Sequence, residues 1–208
     1  MTLPADGLRA HWDAVYSAKA PEEVAWYQAR PEASLALIAR AQGDRQARVI
    51  DVGGGASRLV DLLLGEGYSR VTVLDLSDVA LARARARLRD LASLVTWVTA
   101  DITAWNPSET FDIWHDRAVF HFLVDAEERR AYKNALAVAL PSGGQAIVGT
   151  FASDGPERCS GLPVARYEPE TLAAELGPAF RLVESTHVDH VTPGGKVQRF
   201  QFSRFVRT

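Results

Sequence analysis

Short apolar runs and amphipathic segments follow one another along the chain, in a pattern that predicts strands followed by helices. Residues 49–52 (VIDV) are mostly apolar and β-branched, as a buried strand requires. Three glycines at positions 53–55 end this run. Ser57 is a candidate helix cap, and residues 59–64 (LVDLLL) give a helix its apolar face. The sequence therefore predicts a strand, a tight glycine turn and a helix.

The same alternation continues to the end of the chain. A second strand ends at Asp75, and Ser77 caps a helix that runs to about residue 91. The arginines of this helix, at positions 83, 85, 87 and 89, are expected to form a solvated face. Helices are also predicted near both ends of the chain, and an antiparallel hairpin closes it at a TPGG turn. The remaining predicted strands cover residues 94–98, 111–114, 145–151, 181–191 and 196–206, and the remaining helices cover residues 8–19, 129–140, 169–176 and a segment from Pro31.

Composition narrows the class of protein. The chain has 208 residues, of which 47% are hydrophobic and 24% charged, and this is typical of one globular domain. The net charge of −3 does not indicate a nucleic-acid partner. The sequence has no apolar run long enough to cross a membrane, and its N-terminus does not resemble a secretory signal. Cys159 is the single cysteine, so we expect no disulfide and a cytoplasmic protein.

The glycine turn predicts a site for a nucleotide-containing ligand. Glycines allow a ligand to approach the main chain closely, and the free N–H groups of the following helix face that ligand. A dinucleotide site requires a third glycine, but Arg58 stands at that position. Asp75 ends the next strand, where an ionised carboxylate can accept hydrogen bonds from paired ribose hydroxyls.

Asp51-x-Gly53-x-Gly55, with Asp75 and Asp101 downstream, resembles the class I S-adenosylmethionine (SAM) methyltransferases. The resemblance implies a Rossmann-like, doubly wound sheet of seven strands with an antiparallel last strand and helices on both faces. It also implies one domain over residues 1–208, with a helical lid at 1–45 and a core at 46–208. The pattern HWD..Y, WY, D.GGG.S.L is similar to bacterial relatives of the methyltransferase-like group whose eukaryotic members methylate protein lysines.

The resemblance implies a role for each part of the cofactor site. In the family, the glycine turn lies against the methionine part of SAM, and the acid after the second strand holds the ribose. The acid after the third strand bonds the adenine amino group, and the next apolar residue packs on the ring. Aromatic residues near the N-terminus either pack normally or form a wall for the cofactor. The implied cofactor-binding residues are Trp26, Asp51, Gly53, Gly54, Gly55, Asp75, Leu76, Asp101, Ile102 and Asp116.

Asp116 is the catalytic candidate, because it follows the fourth predicted strand, where ligands bind in open α/β sheets. It orients or deprotonates an acceptor, or else it has a structural role such as capping the next helix. His115 and His121 are weaker candidates. Many methyltransferases that act on amines of nucleic-acid bases carry an N/D-P-P-Y/F motif, and this motif does not follow the fourth predicted strand here. The single cysteine, Cys159, does not directly follow this strand either. We predict no metal site, since His187 and Asp189 would share a strand face without further ligands.

The sequence predicts methyl transfer from SAM to a small molecule or a protein side chain. Two alternatives stay open at this point, namely a SAM- or nucleotide-binding protein without transfer activity and an NAD-dependent oxidoreductase. We expect the acceptor site to be formed by residues 12–27, 116–122 and 153–167, because the cofactor motifs use the other half of the cleft. No pattern in the sequence identifies the acceptor or the oligomeric state.

Overall fold

The computed structural model describes residues 5–41 and 44–208, which fold around one seven-stranded sheet. The strand order is β3-β2-β1-β4-β5-β9-β8. Strands β1 to β5 pair in parallel, whereas β9 pairs antiparallel with both β5 and β8. The predicted fold class is confirmed. The strands of this sheet are β1 (Arg48–Val52), β2 (Arg70–Asp75), β3 (Val95–Thr99), β4 (Ile113–Arg117), β5 (Gln145–Phe151), β8 (Phe180–Val191) and β9 (Val197–Arg207), and a separate small hairpin contains β6 (Arg158–Cys159) and β7 (Leu162–Pro163).

Helices cover both faces of the sheet. Buried side chains of α2, α3 and α4 pack on one face, and those of α5 and α6 pack on the other. Within the described part of the chain, no helix is long and apolar enough to cross a membrane. The helices are α1 (Ala5–Ala18), α2 (Glu32–Ala41), α3 (Leu59–Gly65), α4 (Asp78–Leu88), α5 (Ala126–Ala139) and α6 (Pro169–Leu176).

The order of the strands creates a crevice at the centre of the sheet. From β1 the chain proceeds outward to β2 and β3, and it then crosses back so that β4 lies on the other side of β1. Ligands in open α/β sheets bind at such a switch point, beyond the carboxyl ends of the strands. Here those ends carry Gly53 after β1 and Arg117 at the end of β4.

The fourth strand lies further along the chain than the sequence predicts. It covers Ile113–Arg117 and not residues 111–114, so His115 and Asp116 lie within the strand and not beyond its end. Both side chains are buried, with exposed fractions of 2% and 0%. A polar pair in a strand interior is stable only when each group has hydrogen-bond partners, and both have them here.

Three smaller predictions are also corrected. Helix α4 ends at Leu88 and not near residue 91, because Arg89 has a left-handed backbone with φ 54°, and a 3₁₀ helix, Arg89–Leu94, follows. Strand β3 begins one residue later than predicted, at Val95. Among the arginines expected to form a solvated helix face, Arg87 bonds the Asp61 carboxylate and the carbonyl oxygens of Ala56 and Ser57. This arginine therefore ties α4 to the loop between β1 and α3.

The predicted lid is shorter than residues 1–45. In α2, Leu35, Leu37 and Ile38 are buried in the core on one face of the sheet, as the pattern predicts, so this helix belongs to the scaffold. Only α1 and the segment that contains Trp26 lie over the crevice. Residues 1–4 and 42–43 of the predicted lid lie outside the described residues.

Candidate active site

A cavity of about 220 Å³ opens at the carboxyl ends of the central strands. Its lining is contributed by α1, by the loops after β1 to β4, and by β5, β7 and β9. Six of the ten residues predicted to bind the cofactor line this cavity, and they are Trp26, Gly53, Asp75, Leu76, Asp101 and Ile102.

The glycine turn forms the floor of the cavity. Gly53 has φ +67°, a region that L-residues rarely adopt, and its N–H donates to the Leu74 carbonyl over 2.7 Å. A Cβ atom on Gly53 would lie 2.0 Å from Cγ2 of Val119. The N-cap position of α3 is held by Arg58 and not by the predicted Ser57, although the Ser57 hydroxyl accepts the N–H of Leu59 at 3.1 Å. The turn therefore requires glycine both for its backbone and for its close packing.

Asp75 presents a carboxylate to the cavity from the end of β2. One oxygen accepts the N–H of Ser77 at 2.8 Å, and the residue is 8% exposed. Burial raises the pKa of the Asp75 carboxyl to about 7, and the nearby carboxylates of Asp51 and Asp13 contribute to this increase. A buried carboxylate of this kind gains most from a ligand that donates hydrogen bonds to it.

Asp101 and Ile102 lie beside Asp75 in the wall of the same cavity. Oδ1 of Asp101 accepts both the N–H and the hydroxyl of Thr103, at 2.9 and 2.7 Å. These bonds fix the carboxylate within the turn that follows β3. Ile102 is 6% exposed, so this wall offers an apolar surface next to a carboxylate oxygen.

An aromatic cover closes the cavity, and it consists of Trp12, Tyr16, Trp26 and Phe122. The ring of Trp12 lies 5.7 Å from that of Trp26 and 5.2 Å from that of Phe122, in edge-to-face geometry. Burial, followed by the Asp75 charge, raises the pKa of the Tyr16 hydroxyl, which therefore stays protonated.

Helix α1 is fixed over the cavity by two polar contacts to the loop after β2. Nη1 of Arg9 donates to the carbonyl of Leu76 at 2.7 Å, and the hydroxyl of Ser77 donates to the Asp13 carboxylate. The cover and the Asp75 loop are thus joined, and the part of the cavity beneath them is shielded from water.

Asp51 faces a second, smaller cavity of about 30 Å³ at the glycine turn, together with Gly54 and Arg117. Its Oδ1 lies 2.7 Å from Nδ1 of His115, and Nε2 of that ring lies 2.8 Å from the Ser34 hydroxyl. The predicted residues Asp51 and Gly54 are therefore adjacent to the main cavity without lining it. Gly55 lines neither cavity, but a Cβ atom there would lie 2.9 Å from Oδ2 of Asp75.

Asp116, the predicted catalytic residue, points away from both cavities. Its carboxylate accepts the N–H groups of Val119 and Phe120 at 2.8 and 3.0 Å, and the hydroxyl of Tyr132 at 2.7 Å. Burial raises the pKa of the Asp116 carboxyl to about 6. The residue is fully buried, so the geometry favours the structural alternative, in which Asp116 caps the 3₁₀ turn Phe120–Phe122.

The far end of the cavity is apolar. It is formed by Phe151, Phe200 and the β6–β7 hairpin, whose turn contains Ser160 and Gly161 with positive φ. Cys159 lines this end and is 8% exposed. Burial raises the pKa of the Cys159 thiol to about 11, so it remains a thiol at neutral pH and is a poor nucleophile.

Two features at the end of β4 lie within the predicted acceptor segment 116–122, but the sequence pattern does not single them out. Arg117 lines both cavities, and Ala118 lines the larger one with φ 76°, a strained conformation for a residue other than glycine. Backbone strain of this kind concentrates at functional sites. The charged residues 115–117 resemble the end of a strand, whereas the two-residue periodicity of a longer β4 places Arg117 on the same face as His115. Among the described residues, no group of three or more His, Cys, Asp or Glu side chains could hold a metal ion.

Comparisons with known proteins show that the chain is similar to methyltransferases. Residues 49–143 match a family model described as a methyltransferase domain. Nodulation protein S from Rhizobium tropici is 30% identical over 118 residues, which are 56% of this chain and 48% of that protein. The chain spans about half the length of the curated relatives it matches.

Solved structures share the fold at low sequence identity. A SAM-dependent methyltransferase from Anabaena variabilis has a TM-score of 0.77 at 14% identity, and the match covers 100% of this chain and 96% of that one. The N-methyltransferase NodS from Bradyrhizobium japonicum, in complex with S-adenosyl-L-homocysteine, has a TM-score of 0.67 at 20% identity, and covers 86% and 89%. The sequence-based resemblance is confirmed to this extent: residues 49–143 match the methyltransferase-domain model, and the solved methyltransferase structures share the fold.

Proposed function

We propose that this protein transfers a methyl group from SAM to a small-molecule acceptor by in-line displacement. One observation carries the proposal. The carboxylate at the end of β2, the glycine turn after β1 and an apolar, aromatic chamber all line one cavity at the switch point of the sheet. A cofactor placed by the first two features has its reactive end directed toward the third.

The residues present fit the cofactor. Asp75 would accept the two ribose hydroxyls, because its carboxylate lines the cavity and a carboxylate has about four acceptor positions, of which backbone N–H groups of the following turn use only part. Leu76 and Ile102 would pack on the adenine, with Asp101 beside its amino group. The close-packed turn at Gly53 leaves room for the amino-acid part. When bound, SAM supplies an electrophilic methyl group on a sulfonium, so the chemistry requires no metal.

The protein's own contribution is alignment and exclusion of water. The aromatic cover shields the cavity and presents ring faces that favour a cation. Asp116 and Cys159 are not proposed as bases or nucleophiles, since the first lies outside the cavity and the second stays protonated. Asp116 instead positions the loop after β4, which forms part of the wall. Holding the acceptor in line with the methyl group accounts for the rate enhancement without a protein base.

A small molecule fits the cavity better than a protein side chain. The aromatic cover is fixed on one side by the contacts of α1 to the loop after β2, and the β6–β7 hairpin lines the cavity on the other side. An acceptor must therefore enter the cavity to reach the cofactor and cannot bind on the protein surface alone. The NodS structure is described as an N-methyltransferase, so small amines are the first compounds to test. We place the reaction in the cytoplasm, where SAM is made and a free thiol such as Cys159 stays reduced.

Transfer of radiolabel from methyl-labelled SAM tests the proposal. Purified protein is incubated separately with a small-molecule extract and with lysate protein, and Asp75→Ala and Asp78→Ala are run in parallel. Asp78 is an exposed acid on α4, so its removal is the matched control. We expect label in the small-molecule pool for the wild type and Asp78→Ala, and little for Asp75→Ala. Label in protein would contradict the acceptor class, and SAM binding without any transfer would favour a binding protein.

A further inference from the structure

Arg117 is a partly buried cation with an inaccessible Nη1 atom, and the hydrogen bonds of its guanidinium are incomplete. Nη2 donates to the Trp26 carbonyl at 2.7 Å. Nη1 is inaccessible to solvent and has no hydrogen-bond partner within the described parts of the chain. No ion pair of these residues includes Arg117. The charge is thus held at the end of β4 without a counter-ion.

This arrangement is energetically unfavourable in the ligand-free protein. A buried charge is stable only when it is paired and hydrogen-bonded. Burial lowers the pKa of Arg117, but a guanidinium stays protonated in proteins. The charge of Asp51 acts on Arg117 only from a distance, because the two side chains form no ion pair in the described structure and Oδ1 of Asp51 contacts His115 instead. Arg117 has an unpaired Nη1 atom and no ion pair among the described residues, and we take this to mean that its missing partner belongs to a ligand.

We propose that Arg117 is a receptor for a carboxylate on the ligand that fills the cavity. Arg117 lines both the main cavity and the smaller one at the glycine turn, so it lies where the two meet. It is the single Lys or Arg among the lining residues of either cavity in the described structure. One planar guanidinium in an apolar chamber matches one carboxylate, whereas a phosphate dianion would require further cations.

The carboxylate has two possible sources, and both rest on the proposed function. One is the amino-acid end of the cofactor, which would lie at the glycine turn beside the smaller cavity. The other is an acidic acceptor in the apolar chamber, whose wall adjoins Arg117 at Cys159 and Phe151. The same charge pair would form in either case, so binding experiments must separate the two.

Calorimetry with S-adenosylhomocysteine and 5′-methylthioadenosine separates them, because the second compound lacks the amino-acid end. For a cofactor carboxylate, Arg117→Met should weaken S-adenosylhomocysteine binding by about 10- to 100-fold, the scale of a charged hydrogen bond, and leave methylthioadenosine unchanged. Arg117→Lys should weaken S-adenosylhomocysteine binding less than Arg117→Met does, since lysine keeps the positive charge. For an acceptor carboxylate, both nucleosides should bind Arg117→Met normally. Wild type saturated with S-adenosylhomocysteine should then bind one of benzoate, phenylacetate or hexanoate better than its amide, and Arg117→Met should remove that preference.

Thermal unfolding without ligand is the second readout. Arg117→Met removes an unpaired buried charge, so its melting temperature should equal or exceed that of the wild type. Arg129→Met is the matched control, because Arg129 is a partly buried arginine that pairs with Glu175 and lines neither cavity. We expect this control to unfold at a lower temperature and to bind S-adenosylhomocysteine normally.

Two results would overturn the proposal. In the first, Arg117→Met weakens both nucleosides equally, which indicates a general structural role. In the second, Arg117→Met binds both nucleosides normally, and the wild type binds none of the three acids better than the corresponding amide. If the wild type binds neither nucleoside, the proposed function itself fails, and that outcome is distinguishable from both.

Discussion

The imidazole of His115 lies against the carboxylate of Asp51, with 2.7 Å between Nδ1 and Oδ1. The other ring nitrogen, Nε2, lies 2.8 Å from the hydroxyl of Ser34, so the imidazole bridges a carboxylate and a hydroxyl. All three residues are buried, with Ser34 1% exposed. The chain of bonds joins α2, β4 and β1, and it fixes the acid that precedes the glycine turn.

We predict that His115→Phe destabilises the fold. It leaves the Asp51 carboxylate and the Ser34 hydroxyl buried without their partner, at about 1–3 kcal/mol for each group. Ser34→Ala removes only the outer bond and should cost about 1 kcal/mol. Denaturant unfolding of the two variants measures both values. An unchanged free energy of unfolding for His115→Phe would show that the chain of bonds contributes nothing.

The ionisation of Asp75 makes cofactor binding depend on pH. Burial raises its pKa from 3.8 to about 7 in the ligand-free protein, and the ionised form is the one that accepts the ribose hydroxyls. Affinity for S-adenosylhomocysteine should therefore rise from about pH 6 to about pH 8. Calorimetry across this range measures it, with Asp75→Asn as the control that should bind weakly at every pH. A flat profile for the wild type would contradict the role of Asp75.

The raised pKa of Asp75 also makes the free energy of unfolding depend on pH, and in the opposite direction to cofactor affinity. Because the folded-state pKa of Asp75 lies above its unfolded value, the folded protein binds the proton more tightly. Its contribution to the free energy of unfolding should therefore fall as pH rises from about 4 to about 7. Comparison of wild type with Asp75→Asn by denaturant unfolding isolates this contribution, and a difference that does not change with pH would refute it.

We predict that Gly53→Ala prevents cofactor binding and lowers stability by more than backbone strain alone. The new Cβ atom would lie 2.0 Å from Val119 Cγ2 in a backbone with φ +67°. Gly195→Ala is the matched control, since Gly195 has φ +77° but no heavy atom within 4 Å of the added Cβ. The control should lose about 1 kcal/mol, the cost of the left-handed conformation, and bind normally. Equal losses for the two variants would show that the Val119 contact is unimportant.

We predict that Asp116 contributes mainly to the stability of the fold and not directly to turnover. Tyr132→Phe removes one donor to the Asp116 carboxylate and leaves the indole N–H of Trp114 without its acceptor. We expect a loss of about 1–3 kcal/mol in the free energy of unfolding. Asp116→Ala should lose more, because Val119 and Phe120 also lose their acceptor. A fully stable Asp116→Ala protein that has lost turnover would instead support the catalytic role first predicted.

The parts of the fold set by local sequence were predictable. Strand β5 and helix α6 have the predicted bounds, since an apolar run after a glycine turn and a Pro-initiated helix need little tertiary context. The carboxylate at the end of β2 was predictable for the same reason, because the strand and its terminal acid lie in one continuous segment.

The error at β4 has a tertiary cause. A strand with His, Asp and Arg at its end resembles a loop when only its neighbours in the sequence are considered. His115 is stabilised by Asp51, 64 positions away, and Asp116 by Tyr132, 16 positions away. Arg117 lies in the predicted acceptor segment 116–122, but its place at the cavity is not evident from the sequence for the same reason. Sequence patterns detect apolar burial, whereas polar burial depends on partners that only the fold brings together.

The central claim is that the cavity binds SAM through Asp75. Calorimetry of the purified protein with S-adenosylhomocysteine and with NAD tests it most directly, for wild type and for Asp75→Ala. We predict binding of S-adenosylhomocysteine and none of NAD. We also predict that Asp75→Ala remains folded and binds more weakly by about 1.5–3 kcal/mol, the value of a hydrogen bond to a charged group. Binding of NAD without S-adenosylhomocysteine, or unchanged affinity in a folded Asp75→Ala protein, would contradict the claim.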